Sequence, residues 1–286
     1  IFNNLNTNAV KAQQQSTGDE FYGLNYGLNI FDCPSYYTMK NDFSILKQYT
    51  NRVRIFGLAL CDQADNAIRA TQELGMRLYL TIWMDHNPAS FEKEFQVLQD
   101  LLSRHDFHNV DGIIVGSEVL YREDMSIGTL LQYIQRVKTV IEGRGISITS
   151  ADTFDMITSE LAAPLDFVMI NIFPYWESVS IDNATNILMR HYDETINRVG
   201  GKVVRISETG WPSQGLAFGE AIASPENQNR YLREVLCRTR QRGVDMLWFS
   251  AIDEPYKKDV EGHFGIFEAD TRNLKSNHRI DQLSAC

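Results

Sequence analysis

From Phe21 onwards, short apolar runs alternate with longer stretches in which hydrophobic residues recur at helical spacing. Short apolar runs bounded by polar residues are typical of buried strands, and their alternation with helices predicts parallel strands joined by helical crossovers. Eight strands are predicted in this way: Tyr22–Tyr26, Val53–Phe56, Leu78–Ile82, Gly112–Val115, Ser147–Thr149, Phe167–Ile170, Val203–Ile206 and Met246–Phe249.

The stretches between these runs carry helix start signals. Asn87 precedes Pro88 and Ser224 precedes Pro225, so each pair offers an N-cap side chain followed by proline in the first turn. Ser126 precedes a third helical stretch with the same kind of cap. These signals support the alternation of strands and helices.

The spacing of the predicted strand ends, about 32 residues, fits one strand, one helix and two short loops. Eight such units close a barrel, and no Gly-x-Gly-x-x-Gly motif comes after the first strand to indicate an open dinucleotide-binding sheet. We therefore expect an α/β fold, a single (β/α)8 TIM barrel over residues 21–286 with no large subdomain. The polar residues 1–20 are expected to form an N-terminal arm.

The net charge of the chain narrows the classes of molecule that it is expected to bind. The 286 residues carry 27 Lys and Arg against 37 Asp and Glu, a net charge of −10, with no basic run. This excludes nucleic acid and anionic membranes as favoured partners, whereas a neutral polysaccharide is compatible. No apolar run is long enough to predict a membrane span. The chain begins at Ile1, which we interpret as a processed start after a signal peptide.

The four cysteines, Cys33, Cys61, Cys237 and Cys286, allow three disulfide pairings or four free thiols. Cys33 and Cys61 each come a few residues after a predicted strand on the same rim, which favours pairing them. Cys237–Cys286 would then join the tail to a helix. No C-x-x-C pair indicates zinc, and we expect neither a metal nor a cofactor. Asn183 begins the one glycosylation sequon, and whether it is modified stays open.

Two predicted strands end on glutamate. Glu118 lies at the end of the fourth strand and Glu208 at the end of the seventh, and barrel enzymes place their chemistry at these C-terminal ends. Cleavage of a glycosidic bond needs two carboxyl groups that flank the sugar. The alternative for either glutamate alone is a helix cap or a surface ion pair.

The residues around these glutamates resemble glycoside hydrolase family 17, over about Phe21–Phe267. The most specific stretch is Ser207–Ser213, with the sequence SETGWPS; Val115–Glu118 and Ala251–Lys257 also match the family. Within this family, the chain resembles fungal cell-wall β-1,3-glucanosyltransferases and glucanases. The resemblance implies β-1,3-glucan as substrate and retention of configuration.

The resemblance assigns Glu208 as nucleophile and Glu118 as acid/base, with the two carboxyl groups expected about 5–5.5 Å apart. Ser117 departs from the pattern, since related enzymes usually have Asn there to bind the sugar 2-hydroxyl. Because serine is shorter, the hydrogen bond to the 2-hydroxyl would be absent, mediated by water or made by another residue.

Further substrate-binding residues are expected on the same rim. Arg54, within the second strand, would favour ionised Glu208 if it faces the pore; the alternative is an ion pair elsewhere. Rim aromatics offer flat faces to sugars, although an aromatic residue is more often part of a core. The remaining candidates are Tyr26, Tyr121, Asn171, Tyr175, Trp176, Glu177, Trp211, Glu254 and Lys257. For Glu254 and Lys257, the alternative is a purely structural ion pair between them.

We expect a secreted or cell-wall enzyme, monomeric, acting on β-1,3-glucan oligosaccharides or polysaccharide. Transfer of a glucanosyl group is the favoured reaction, and hydrolysis by an endo-β-1,3-glucanase is the alternative. More remote alternatives are a related enzyme for another β-glycan such as mannan, and a non-catalytic glucan-binding wall protein. The presence of both glutamates argues against the last.

Overall fold

Eight parallel strands close into a barrel in chain order, β1 to β8, in a computed structural model that describes residues 20–29, 31–278 and 286. The strands are β1 (Gly23–Tyr26), β2 (Arg52–Phe56), β3 (Arg77–Ile82), β4 (Val110–Ser117), β5 (Ser147–Thr153), β6 (Val168–Asn171), β7 (Val204–Thr209) and β8 (Met246–Trp248). The (β/α)8 prediction is confirmed. The predicted N-terminal arm, apart from Glu20, lies outside the described residues.

The α-helices of the described chain surround the barrel. They are α1 (Tyr36–Leu46), α2 (Gln63–Leu74), α3 (Pro88–Arg104), α4 (Ile127–Ile141), α5 (Ser159–Ala162), α6 (Ile181–Arg198) and α7 (Pro225–Arg242). The three predicted N-caps are confirmed: Asn87, Ser126 and Ser224 each accept a backbone N–H of the first turn, at 3.0, 3.2 and 3.1 Å. Within the described part of the chain, no helix combines the length and hydropathy needed to cross a membrane.

Four strands extend beyond their apolar runs. β4 continues to Ser117, β5 to Thr153, β6 to Asn171 and β7 to Thr209, and the polar residues at these ends are largely buried. The pairing register shifts between Ile114 and Ser117 and again between Ile206 and Thr209. Such irregularities are frequent beside active sites, where they redirect side chains.

Two apolar clusters stabilise the barrel. The larger one lies between the strands and the helices. The smaller one fills the barrel interior and includes Tyr79, Ile114, Phe167 and Leu247. Because these side chains close the barrel from within, open space for a ligand is left at the C-terminal ends of the strands.

Both expected cysteine pairs are bonded in the structure. Cys33–Cys61 joins the loop after β1 to the segment after β2, and Cys237–Cys286 joins α7 to the last residue, each with a Cα–Cα distance of 5.3 Å. The first pair therefore fixes two loops on the rim that carries the candidate glutamates.

Candidate active site

A cleft of about 740 Å³ opens at the C-terminal end of the barrel, and both candidate glutamates line it. Glu208 lies in β7 and is 7% exposed. Glu118 comes directly after β4 and has a φ of 56°. A left-handed backbone is uncommon for a residue with a side chain and is often found at functional sites. The turn at Glu118 directs the chain away from the strand while its carboxylate stays at the cleft.

A buried arginine holds Glu208. Arg54, fully buried in β2, donates from Nη1 to Glu208 Oε1 at 2.8 Å and from Nη2 to Ser117 Oγ at 3.0 Å. Its Nε donates to Thr81 Oγ1 at 3.0 Å. Ser117 Oγ in turn donates to Glu208 Oε1 at 3.4 Å. Ser117 is 3% exposed, so its hydroxyl orients Arg54 and Glu208 and offers little surface to a sugar.

Two opposing effects determine the protonation of Glu208. Burial raises its pKa to about 6, with a further contribution from the nearby charge of Glu118, while Arg54 lowers it. Burial also lowers the pKa of Arg54, but a guanidinium keeps its proton at neutral pH. Arg54 therefore acts in the expected direction on Glu208, but desolvation outweighs it. Glu208 is mainly ionised at neutral pH and protonated in mild acid.

One amide side chain faces both carboxylates. Asn171, at the end of β6, donates from Nδ2 to Glu118 Oε1 at 2.8 Å and accepts from Ser207 Oγ at 2.6 Å. Because an ionised carboxylate can only accept hydrogen bonds, the NH2 end of the amide is the end that points to Glu118, and the amide oxygen accepts from Ser207. The Asn171 side chain also lowers the pKa of Glu208. The structure thus brings Glu118, Glu208, Arg54, Ser117 and Asn171 together.

Aromatic side chains form much of the cleft wall. Tyr121 is 56% exposed and Trp176 is 39% exposed, and Glu177 lines the cleft beside Trp176. Trp176 packs edge-on against Phe218 at 5.7 Å between ring centroids. Exposed aromatic faces beside an acceptor group are what a sugar-binding wall requires.

Tyr175 and Trp211 lie beneath this wall. Both are fully buried, and the Tyr175 ring meets the rings of Trp176 and Trp211 edge-on at 5.1 and 5.2 Å. Trp211 also donates from Nε1 to the carbonyl of Ile222 at 2.9 Å. Tyr175 and Trp211 were expected to contact the substrate, but neither has a face open to the cleft in this structure, and both support the rings that do.

Tyr26 and Glu254 are also outside the cleft wall. Tyr26 is 4% exposed, its hydroxyl donates to Asp42 Oδ2 at 2.8 Å, and it does not line the cleft that holds the two glutamates, so its expected contact with substrate stays a prediction. Glu254 is 5% exposed and forms an ion pair of 2.7 Å with Lys257. Lys257 lines the cleft, whereas Glu254 lies behind it and holds the lysine. The structural ion pair considered as the alternative is present.

Trp83 is a cleft residue that the sequence patterns did not indicate. It lies directly after β3, is 43% exposed and lines the cleft, with the guanidinium of Arg122 4.8 Å from its ring centroid. The rule that located the glutamates, inspection of the residues at each strand end, would also have found it. Phe154, Phe249 and Phe264 line the cleft too.

Asp152 is a second residue that the sequence patterns did not indicate, although it does not itself line the cleft. It is fully buried in β5 and accepts the backbone N–H groups of Leu120, Tyr121 and Thr153 at 2.9, 3.2 and 2.9 Å. Burial raises its pKa to about 6, against these hydrogen bonds. Asp152 thereby fixes the segment after Glu118. Its side chain is polar within a strand, which is the signal that a search for apolar runs discards.

The site can therefore supply a buried carboxylate paired with a cation, a second carboxyl group across an amide, and an aromatic wall. This combination suits acid and nucleophilic chemistry on a carbohydrate. Among the side chains that the structure describes, no group of three or more His, Cys, Asp or Glu could hold a metal ion.

Several known proteins are similar to this chain in sequence. A glucan 1,3-beta-glucosidase of Schizosaccharomyces pombe is 30% identical over 82% of this chain and 78% of its own length. A probable glucan endo-1,3-beta-glucosidase (btgC) of Aspergillus terreus is 29% identical over 91% of this chain, which spans only 44% of that relative.

A solved structure is more similar in sequence. An active-site mutant of the beta-1,3-glucanosyltransferase of Rhizomucor miehei, in complex with laminaritriose, is 50% identical, with a TM-score of 0.89 over 91% of this chain and 97% of that one. A second structure of the Rhizomucor miehei enzyme, described as a glycoside hydrolase of family 17, is 51% identical. The model of the BtgE/BtgC glycoside hydrolase domain matches residues 23–265. The resemblance drawn from the motifs is confirmed, and the chain belongs to the family of BtgE/BtgC glycoside hydrolase domains.

Proposed function

We propose that this protein is a retaining β-1,3-glucanosyltransferase in which Glu208 is the nucleophile and Glu118 the acid/base. The observation that supports these roles is the asymmetry of the two glutamates. Glu208 is buried and paired with Arg54 at 2.8 Å, as suits a carboxylate that must be ionised to attack. Glu118 is more exposed and is held by an amide donor, as suits a group that exchanges protons with substrate oxygens.

The reaction has two steps. Glu118 donates its proton to the glycosidic oxygen while Glu208 attacks the anomeric carbon, which releases the leaving sugar and forms a glycosyl ester on Glu208. Glu118, now ionised, takes the proton of an incoming hydroxyl group, whose oxygen attacks the anomeric carbon and frees Glu208. Transfer and hydrolysis differ only in whether that hydroxyl belongs to a sugar or to water.

Transfer is favoured by the wall beside Glu118. Tyr121 comes three residues after Glu118, and Trp176 with Glu177 lines the same cleft. A sugar stacked on these rings and bonded to Glu177 would be held ready for attack, an advantage that a free water molecule lacks. The 50% identical Rhizomucor miehei protein is a glucanosyltransferase, which supports the same conclusion. Endo-β-1,3-glucanase activity is the second candidate, because the Aspergillus relative bears that name.

The setting in which the protein works is also a proposal. Two disulfides are typical of an oxidising compartment, which supports secretion to the cell wall. A net charge of −10 fits a neutral glucan better than an acidic partner. We propose that it acts as a monomer without a cofactor.

Product analysis on a defined laminari-oligosaccharide tests the function. Products longer than the starting sugar indicate transfer, and exclusively shorter products indicate hydrolysis. We expect Trp176→Ala to lower the ratio of transfer to hydrolysis by about fivefold, which corresponds to about 1 kcal/mol of lost stacking, with a smaller effect on donor consumption. Tyr37→Ala is the matched control, since Tyr37 is 79% exposed on α1 and does not line the cleft. An unchanged ratio in the Trp176 variant would exclude this residue from the acceptor site.

A further inference from the structure

A buried histidine lies behind the wall formed by Glu177 and Phe154. His191, on α6, is 6% exposed, and its Nε2 lies 2.7 Å from Glu177 Oε2 while its Nδ1 lies 3.3 Å from Glu194 Oε2. Its ring stacks on Phe154, with centroids 3.6 Å apart and planes 14° from parallel. Glu177 and Phe154 both line the cleft, whereas His191 itself does not.

The two carboxylates indicate the charge of the ring. A carboxylate accepts hydrogen bonds and does not donate them, so each of these two bonds needs a proton on a ring nitrogen, and the ring that makes both bonds is the imidazolium form. Burial lowers the pKa of His191, but the hydrogen bonds and charges of Glu177 and Glu194 outweigh burial and hold it above its ordinary value. The charged ring against Phe154 is favourable in addition.

Two links join α6 to the residues of the cleft wall. The link through His191 changes with pH, whereas the link through Arg198 does not. Arg190 forms an ion pair of 3.7 Å with Glu194, and Asp155 is an exposed neighbour of Phe154. Arg198 donates from Nη1 to the carbonyl oxygens of Phe154 and Ile157 at 2.6 and 3.0 Å. Because arginine stays charged, α6 holds the backbone of the loop after β5 at every pH, and only the His191 link changes with pH.

We propose that His191 is a positioning residue for the acceptor half of the cleft, which as an imidazolium fixes Glu177 and Phe154 and whose deprotonation shifts the enzyme from transfer towards hydrolysis. This inference rests on the proposed transferase function. It concerns residues that hold the incoming sugar and not the two glutamates that break the bond. Those glutamates are held from other elements, Glu118 by Asn171 and Glu208 by Arg54, so the bond-breaking step is expected to be unaffected.

The sign of the effect depends on the number of protons on the ring. Below its ordinary pKa of about 6.5 the ring is charged and makes both bonds. As pH rises through the raised pKa of the folded protein, one proton leaves and one nitrogen presents a lone pair to a carboxylate. Either the bond to Glu177 breaks, or the neutral ring keeps its remaining proton on Nε2 and the bond to Glu177 loses the attraction between two opposite charges. Glu177 is then less well fixed, and a bound acceptor has less advantage over water.

The test measures the ratio of transfer to hydrolysis on a laminari-oligosaccharide across the titration of His191, whose midpoint is obtained independently by NMR. Glu118 serves as base for both acceptors, so its own ionisation cancels in the ratio. In the unmodified protein we expect the ratio to fall between about two- and tenfold through that midpoint, the value of one net hydrogen bond. His191→Phe keeps a ring against Phe154 but makes neither bond, and its ratio should be low and independent of pH.

Glu194→Gln distinguishes positioning from a merely structural role. Glu194 is half-exposed on the outside of α6, and removing its charge leaves the bond to Glu177 in place while lowering the pKa of His191. The fall in the ratio should therefore move to lower pH together with the NMR midpoint. This variant also keeps the proposal testable if His191→Phe does not fold.

The outcomes separate the two proposals. A ratio that stays flat through the NMR midpoint, or that falls at the same pH in Glu194→Gln, overturns the role of His191 and leaves the transferase function standing. A protein that forms no longer product at any pH overturns the transferase function, and the positioning role with it. A fall that tracks the midpoint in both proteins establishes the role.

Discussion

Replacing Arg54 by methionine removes the cation that opposes burial at Glu208. The guanidinium is fully buried and its Nη1 lies 2.8 Å from Glu208 Oε1, while methionine is of similar length and apolar. Burial raises the pKa of Glu208, with a further contribution from the charge of Glu118, and Arg54 is the principal group that lowers it. Without it, the carboxyl group should take up a proton at neutral pH.

The size of the shift can be worked out from the geometry. At an effective dielectric constant of about 20, two unit charges about 4 Å apart interact by about 4 kcal/mol. This corresponds to a rise of as much as about 3 pH units in the pKa of Glu208. At neutral pH the ionised fraction would then fall by as much as about 100-fold. The protein should still fold, because protonation of Glu208 avoids leaving an unpaired charge in the interior.

The assay is the pH profile of kcat/KM on a laminari-oligosaccharide. In the unmodified protein its acid limb should lie near pH 6, the pKa that burial gives Glu208, and activity should fall as pH drops through that value. In Arg54→Met the limb should move upwards, with activity partly recovered in alkaline buffer. Arg54→Lys keeps the charge and should move the limb much less. A limb that stays near pH 6 in folded Arg54→Met would refute the assignment of the limb to Glu208.

Three further predictions address other parts of the site. The Glu118→Ala variant should keep much of the activity on donors with a good leaving group, because such donors need no proton. The Glu208→Ala variant should lose activity on all donors. Equal losses in the two variants on both donor types would contradict the assigned roles. Asp152→Asn should lower kcat and lower the free energy of unfolding by about 1–3 kcal/mol, because an amide cannot accept all three backbone N–H groups. An unchanged midpoint of denaturant unfolding would count against this prediction. Trp83→Ala should raise KM about three- to tenfold with little change in kcat if its exposed ring stacks on sugar; a loss confined to kcat would point to packing instead.

The sequence by itself determined the barrel. Eight apolar runs and the caps at Asn87, Ser126 and Ser224 predict the strands and helix starts that the structure contains. These signals are local, since a buried strand needs consecutive apolar residues and a helix needs a cap beside its first turn. The same local signals located Glu118 and Glu208, because chain order alone places all strand ends of a parallel barrel on one rim.

Tertiary structure decided which rim residues face the cleft. Trp176 and Trp211 both come a few residues after a strand end, yet one is 39% exposed and the other fully buried. The difference depends on the groups that pack against each ring, and for Trp211 these include Tyr231 on α7. A sequence gives the position of a side chain along the chain but not its direction or its neighbours in space.

The charge state of the site was also decided only by the folded protein. Arg54 and Glu208 are 154 residues apart in sequence and 2.8 Å apart in space, and the burial that raises the pKa of Glu208 arises when the barrel closes around both. The link from His191 to Phe154 and Glu177 similarly joins a helix to two separate loops. The sequence states the residue types. Their protonation and contacts are properties of the packed barrel, because desolvation and ring stacking depend on the whole environment of a group.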